Sequence, residues 1–241
     1  LSMRRYVIPR LTALGLSLAV ASMVIFAVVE LVPGDPASYM LGTGAQPETL
    51  AALRQQMGLD LPLPLRYLRW LGGVLSGDLG HSFTYKTPVG GMILDRMQVS
   101  LPLALMALVI AVLIAFPIGI YAAARRGRPG DTLAMGVTQI GISLPNFWFA
   151  MLLVLVFAVN LQLLPAGGFP GWNHPLAALR ALILPAIALA LPQAAILARV
   201  LRSSLVETLG QDYIRTARAK GLSAAQVLTR HALRNALIPV L

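Results

Sequence analysis

Residues 99–124 read VSLPLALMALVIAVLIAFPIGIYAAA, a stretch without a charged side chain between Arg96 and Arg125. An α-helix rises about 1.5 Å per residue, so about 20 apolar residues cross a hydrocarbon layer of about 30 Å. Pro102 and Pro117 do not exclude a helix here, because neighbouring helices satisfy the carbonyl groups that proline leaves free in a membrane. The stretch therefore predicts a membrane-spanning helix.

Three further uncharged runs predict the other spans, at Leu11 to Val29, about Leu133 to Val159, and Ala181 to Ala198. The third run continues without charge to Leu179, which is too long for one span, so we place a loop at residues 165–172. The first run is longer than the apolar part of a usual signal peptide and has no small-x-small cleavage site after it. With 57% hydrophobic and 12% charged residues, the chain has more apolar side chains than one soluble core needs. These runs predict an all-α integral membrane protein, a polytopic helix bundle.

The charge distribution predicts the orientation in the membrane. The net charge is +10, but a mean hydropathy of +0.76 argues against a nucleic-acid groove. Lys and Arg favour the cytoplasmic side in short loops. The arginines cluster in three places, namely Arg4 with Arg5 and Arg10, Arg125 with Arg126 and Arg128, and residues 199–234. These segments and the amino terminus are predicted to be cytoplasmic, with residues 30–98 and the loop near Trp172 outside.

Both long connecting segments carry helix signals of their own. In the outer segment, Pro47 begins a helix that Gly58 can end, and Leu65 to Leu75 forms a second helix. On the cytoplasmic side, Asp212 is predicted to cap a helix from Tyr213 to Lys220.

After that helix, Gly221 is predicted to reverse the chain in the left-handed conformation. Ser223 with Gln226 three residues later forms a capping box, which predicts the start of another helix.

This cytoplasmic segment resembles a known family. Residues 212–223 read DYIRTARAKGLS and residues 230–239 read RHALRNALIP, similar to the cytoplasmic loop of binding-protein-dependent ABC permeases. The resemblance continues through VPGDPA (32–37), GLD (58–60), GDLGHS (77–82) and SLPNFW (143–148). Arg215-Thr216-Ala217 in place of Glu-Ala-Ala, and His231 to Arg234 in place of the last element of the general motif, resemble the dipeptide, oligopeptide and nickel branch.

In that family the loop contains the coupling helix, which docks into a groove of the ATPase subunit. The residues that match it in this sequence are Asp212, Tyr213, Ile214, Arg215, Thr216, Ala217, Arg218, Ala219, Lys220 and Gly221. The resemblance implies a type I ABC importer permease in the bacterial inner membrane, with residues 1–98 as first span plus external helical segment. Residues 99–241 would then be the permease core, with three spans and a coupling loop at about 199–235. Because members of the family continue through two further spans, we expect the sequence to be incomplete at its carboxyl end.

The partners implied by the resemblance are a second permease subunit, two ATP-binding subunits and an external substrate-binding protein, which residues 30–98 are expected to contact. ATP and Mg²⁺ would bind the partner ATPase. The chain has no phosphate-binding loop, and its two lysines, Lys86 and Lys220, lie in other contexts. The implied cargo is a dipeptide or oligopeptide, with nickel or another small solute as the alternative.

Polar residues near the spans are the candidates for the translocation pathway. Ser143, Asn146 and Gln193 would each need a polar partner or a wet path. The sequence around Ser143 is one residue short of a hydrolase nucleophile elbow, but no histidine or acidic residue lies in a predicted span to support catalysis, so Pro145 is read as a helix break. A secondary transporter or channel is the rival class, and it would use charges inside the membrane, which these predicted spans lack.

Overall fold

The computed structural model describes residues 3–31, 34–42, 45–82 and 84–237, and in these ranges it confirms the all-α fold class. Eleven α-helices and two π-helical segments make up its regular structure there. They are α1 (Met3–Leu31), α2 (Pro36–Leu41), α3 (Pro47–Met57), α4 (Leu63–Leu75), α5 (Val89–Ala124), α6 (Pro129–Ser143), α7 (Asn146–Leu153) with a π-helical continuation (Val154–Asn160), α8 (Pro175–Leu209), α9 (Asp212–Ala219), α10 (Ala224–Gln226), a π-helical segment (Val227–Ala232) and α11 (Leu233–Ala236).

Three of the described helices are long and apolar enough to cross a membrane: Val7–Leu31 of α1, Val89–Ala124 and Pro175–Leu209. A fourth crossing is possible if α6 and the helix from Asn146 to Asn160 form one span. The first two predicted spans are confirmed, and both lie inside longer helices.

The third predicted span is wrong as one continuous helix from Leu133 to Val159. α6 ends at Ser143, the chain resumes at Asn146, and the two helices are bent by 96°. Leu144 is extended, with φ −78° and ψ 128°, because the ring of Pro145 excludes the helical conformation for the residue before it. The helix break predicted at Pro145 is therefore confirmed.

The fourth predicted span, Ala181 to Ala198, is confirmed and lies inside a helix that is longer at both ends. α8 runs from Pro175 to Leu209 and includes three arginines. Their long side chains reach polar partners beside the helix: Arg180 donates to the Leu163 carbonyl, Arg199 to the Gln139 side chain and Arg202 to Asp131. The prediction from sequence ends each span at a charged residue. In the structure the three arginines remain part of the helix, because each has a hydrogen-bond partner beside it.

The chain divides into two units, residues 1–96 and 97–241, and each is described by itself. In the first unit the predicted helices at Pro47 and before Gly77 are confirmed as α3 and α4, and Gly58 ends α3 with φ +69°. Asp35 caps α2 and accepts hydrogen bonds from Arg54 at 2.6 and 3.0 Å. The Arg54 guanidinium and then the Ser38 hydroxyl lower the pKa of Asp35 to about 2.

In the second unit, α5 and α8 pack through small residues at four-residue spacing, which we call the alanine seam. Its buried alanines are Ala107, Ala111 and Ala115 on α5, and Ala186, Ala190, Ala194 and Ala198 on α8. Beyond Ala115, a side-chain carbon at Gly119 would lie 2.9 Å from the Ala198 carbonyl oxygen, so only glycine fits. Small residues let two helix backbones approach closely, which is how helices associate where lipid removes the hydrophobic drive.

Candidate functional site

The end of α8 forms the base of the candidate site. The helix continues past its predicted end, and Leu201 and Leu205 on this extension are fully buried. They belong to one apolar cluster with Ala123 of α5, Ile214 and Ala217 of α9, and Val227, Ala232 and Ala236 of the helices that follow. The segment after α8 is thus folded onto the bundle by apolar packing. We call this part of the second unit, which also carries Arg125, Arg126 and Arg128, the arginine-rich end.

Helix α9 is held by one narrow face. Ile214 and Ala217, one turn apart, are its two buried residues, and both face the cluster. The remaining residues of the segment from Asp212 to Gly221 are exposed, and they are Asp212, Tyr213, Arg215, Thr216, Arg218, Ala219, Lys220 and Gly221. A helix anchored on one face and polar on the other offers a whole side to a partner.

The turn after α9 has the predicted geometry. Gly221 has φ +85°, and its N–H donates to the Arg218 carbonyl at 2.9 Å. The capping box is confirmed, since the Gln226 N–H donates to Ser223 Oγ and the Ser223 N–H donates to Gln226 Oε1. The predicted cap at Asp212 is wrong: Gln211 precedes the helix, and Asp212 lies in its first turn, where its negative charge complements the helix dipole.

Two side-chain hydrogen bonds link the last helix, α11, to α9 and to α8. Asn235 Nδ2 donates to the Tyr213 hydroxyl at 2.8 Å and thereby links the last helix to α9. Ser204 Oγ donates to the Ala236 carbonyl at 2.8 Å and links the last helix to α8. α9, α11 and α8 are therefore tied by polar contacts as well as by the apolar cluster.

The arginine-rich end contains a buried ion pair that was not predicted from the sequence. Arg202 of α8 donates two hydrogen bonds of 2.6 Å to the carboxylate of Asp131 in α6, which also accepts the Gly127 N–H at 3.0 Å. Asp131 is buried. The third span was predicted to begin at about Leu133, so Asp131 was left in a loop. The signal that could have placed it in a helix is Pro129, because proline favours the first helical position and an acid favours the first turn.

A cleft of about 320 Å³ opens beside α9. Its lining includes two arginines, Arg126 and Arg218, together with apolar side chains such as Leu209 and Leu228. Because its lining combines cationic and apolar side chains, the cleft suits a partner that presents an acidic group beside an apolar one.

The three pathway candidates are all exposed, and the structure does not join them by a hydrogen bond to one another within its described residues. Ser143 ends α6 and donates to the Gln139 carbonyl at 2.9 Å, Asn146 begins α7 after the break, and Gln193 follows Pro192 on α8. Their exposure on helices of a membrane bundle is consistent with a wet path or with a second subunit.

Comparison with known proteins finds two family models. Residues 115–241 match "Binding-protein-dependent transport system inner membrane component", and residues 3–104 match "Binding-prot-dependent transport system membrane comp, N-term". A putative peptide transport system permease protein of Brucella abortus (strain 2308) is 43% identical over 223 residues, 92% of this chain and 71% of that protein. The glutathione transport system permease protein GsiC of Salmonella paratyphi A is 42% identical over 238 residues, 99% of this chain and 76% of that protein.

Proposed function

This chain belongs to the family of binding-protein-dependent transport system inner membrane components, and from that premise we propose that it carries peptides as part of an ATP-driven importer. It is a transport permease subunit of the inner membrane, and we propose that it is not itself catalytic. Two relatives that align over most of the chain are named for the transport of peptides and of glutathione, which supports short peptides as cargo.

We assign α9, with Gly221, to the contact with an ATP-hydrolysing subunit that binds ATP and Mg²⁺. The observation that carries the assignment is the division of α9 into a buried face of Ile214 and Ala217 and an exposed face of polar and cationic side chains. The cationic cleft beside it offers a complementary place for an acidic residue of that subunit. Two such subunits, a second permease subunit and an external binding protein complete the proposed complex.

Photo-crosslinking tests the assignment of α9. A photoreactive residue replaces Ala219, which is exposed on α9, and in a matched variant it replaces Leu176, which is exposed at the start of α8. Irradiation of membranes that contain the whole transporter is expected to join position 219, but not position 176, to the ATP-hydrolysing subunit. Adducts from position 219 with lipid alone would refute the proposed contact.

We propose that the arginine-rich end and the amino terminus face the cytoplasm, as the arginine clusters favour. The chain has no cysteine, so single cysteines report topology without background. An impermeant thiol reagent applied to intact spheroplasts should label Glu48→Cys and spare Arg126→Cys. The reverse labelling would invert the orientation.

By the same proposal, residues 1–98 supply the first span and an external segment, and residues 99–241 supply the permease core. Within the external segment, α3 is the part that suits the binding protein, since Glu48 in its first turn is exposed. Crosslinking from position 48 is expected to capture that protein, with position 126 as the negative control.

The peptide cargo and the pathway are tested together in proteoliposomes that contain the complete transporter and its binding protein. A radiolabelled dipeptide or tripeptide should accumulate with ATP, whereas nickel should not. Gln193→Leu should lower the rate of peptide uptake and leave the binding of the ATP-hydrolysing subunit unchanged, because Gln193 lies outside the cluster that holds α9. Uptake of nickel in place of peptide would move the cargo to the metal-transporting alternative.

A further inference from the structure

Helix α4 of the first unit is apolar on the side that packs against α1 and also on part of its exposed surface. Tyr67, Leu71 and Val74 are partly buried. The apolar surface continues around the helix through Leu65, Leu68 and Leu75, whose exposed fractions are 52%, 61% and 81%. The two arginines, Arg66 and Arg69, occupy the remaining side of the helix. This is the pattern of an amphipathic helix that lies in a membrane interface.

Contacts between α4 and α1 define which part of α1 lies beside α4. Arg66 is ion-paired with Glu30 at the end of α1. The Tyr67 hydroxyl hydrogen-bonds to Ser22 Oγ at 2.8 Å. The rings of Tyr67 and Trp70 lie 5.5 and 6.0 Å from that of Phe26. Helix α4 therefore lies beside the carboxyl-terminal half of α1, from Ser22 to Glu30.

The depth of this contact follows from helix geometry. α1 is a candidate span over Val7–Leu31, and its uncharged run ends at Val29. At about 1.5 Å per residue, Ser22 lies about 10 Å inside the hydrocarbon layer and Phe26 about 5 Å inside it. An interfacial helix lies with its apolar face about 5–10 Å into the boundary between headgroups and acyl chains. The contacts of α4 with Ser22 and Phe26 fall in this range, and its ion pair with Glu30 lies at the boundary.

We propose that α4 is embedded in the lipid leaflet at the Glu30 end of α1, with Leu65, Leu68 and Leu75 among the acyl chains. The guanidinium of Arg69 lies beside Gly58 at the end of α3, and Trp70 takes the interfacial position that aromatic side chains favour. At the same end of α1, the apolar residues Val28, Val29 and Leu31 are likewise more than half exposed. A water-soluble binding protein does not reach this depth, so lipid is the occupant that the position favours.

Site-directed spin labelling of the complete transporter tests this proposal. Single cysteines replace Leu68 and Leu75, and the complex is reconstituted in vesicles of phosphatidylethanolamine and phosphatidylglycerol. Labels at 68 and 75 should collide frequently with dissolved oxygen, which concentrates in the acyl chains, and rarely with a water-soluble nickel chelate. The oxygen-to-nickel accessibility ratio should be several-fold higher than for a label at position 48 on α3, which is the matched control in the same unit.

Each other result would overturn the proposal in its own way. A ratio equal to that of position 48 would place α4 in water. Shielding from both reagents would mean that protein, such as a second permease subunit, covers the leucines. A short bifunctional thiol reagent, whose arm replaces the length of the tyrosine ring, should join the pair Ser22→Cys and Tyr67→Cys if α4 keeps its place on α1 in the membrane, and failure of that crosslink to form would remove the basis for the stated depth. None of these outcomes depends on the cargo.

Discussion

Two aspartate–arginine pairs at the arginine-rich end differ in each property that decides how strongly a charge pair stabilises a fold. Arg202 and Asp131 join α8 to α6 through two hydrogen bonds of 2.6 Å, and the Asp131 side chain is 5% exposed. Arg215 and Asp212 lie on the same turn of α9 at 3.4 Å, with side chains 77% and 96% exposed. The first pair fixes helices that lie far apart in sequence, whereas the second leaves both charges available to another molecule.

The largest effect is expected from Asp131→Ala, which would break the buried pair. It leaves the guanidinium of Arg202 without its two acceptors, and the loss of one partner of a buried pair costs about 3 kcal/mol. Asp212→Ala is the matched control and should cost less than about 1 kcal/mol, as for other exposed pairs. Thermal unfolding of the purified protein in detergent measures both changes. Equal losses of stability would contradict the distinction between the two pairs.

A smaller effect on stability, but a large one on assembly, is expected from Gly221→Val. A side-chain carbon at Gly221 would meet open space, so only the positive φ of +85° opposes the substitution. That conformation costs a residue other than glycine about 1–2 kcal/mol. The strain should tilt α9 and weaken co-purification with the ATP-hydrolysing subunit.

Gly221→Asn is the control for this variant, because asparagine tolerates the left-handed conformation better than other residues do. It should retain most of the association. If Gly221→Val transported at the normal rate, the role of α9 as the coupling element would have to be given up.

Tyr213→Phe tests the hydrogen bond that links α9 to the last helix through Tyr213 and Asn235. It removes one of the two acceptors of the Asn235 amide, at a half-exposed site, for which a cost of about 0.5 kcal/mol is the low end of the usual range. Proteolysis near Gly221 should become faster while the unfolding temperature of the whole chain hardly changes. Unchanged proteolysis would show that the apolar cluster alone holds α9.

The smallest change in stability is expected from Arg215→Ala. Since this side chain is exposed, the free energy of unfolding should change by less than about 0.5 kcal/mol. Association with the ATP-hydrolysing subunit should nevertheless slow, and its dependence on ionic strength should weaken, because exposed charges act on the rate of encounter. The association rate is measured by binding of the ATP-hydrolysing subunit to the immobilised permease at low and at high salt. An unchanged association rate would mean that the charge does not face the partner.

Local signals predicted the local structure well. The capping box at Ser223 and the glycine turn at Gly221 depend on residues within a few positions of one another, so the sequence contains all that is needed. The same holds for the helix break, where Pro145 acts on its neighbour.

What the sequence could not supply was pairing over distance. Asp131 and Arg202 are 71 residues apart, the first just before the third uncharged run and the second beyond the fourth, so neither was identified as half of a contact. The alanines of α5 and α8 were counted as apolar residues, but nothing in either helix alone says that the two stripes meet. Helix α4 likewise carries apolar side chains both on the side that packs against α1 and on the exposed side, so the two sides could be told apart only by the contacts with Ser22 and Phe26.

The alanine seam has a consequence for entropy and for movement. Alanine has no side-chain rotamers to lose, so contact along the seam orders no side chain. For the same reason, the alanines of the seam cannot change rotamer to accommodate a displacement of one helix against the other. A displacement of α9 that reached α8 through the apolar cluster would therefore leave α5 either to follow α8 or to separate from it along the seam.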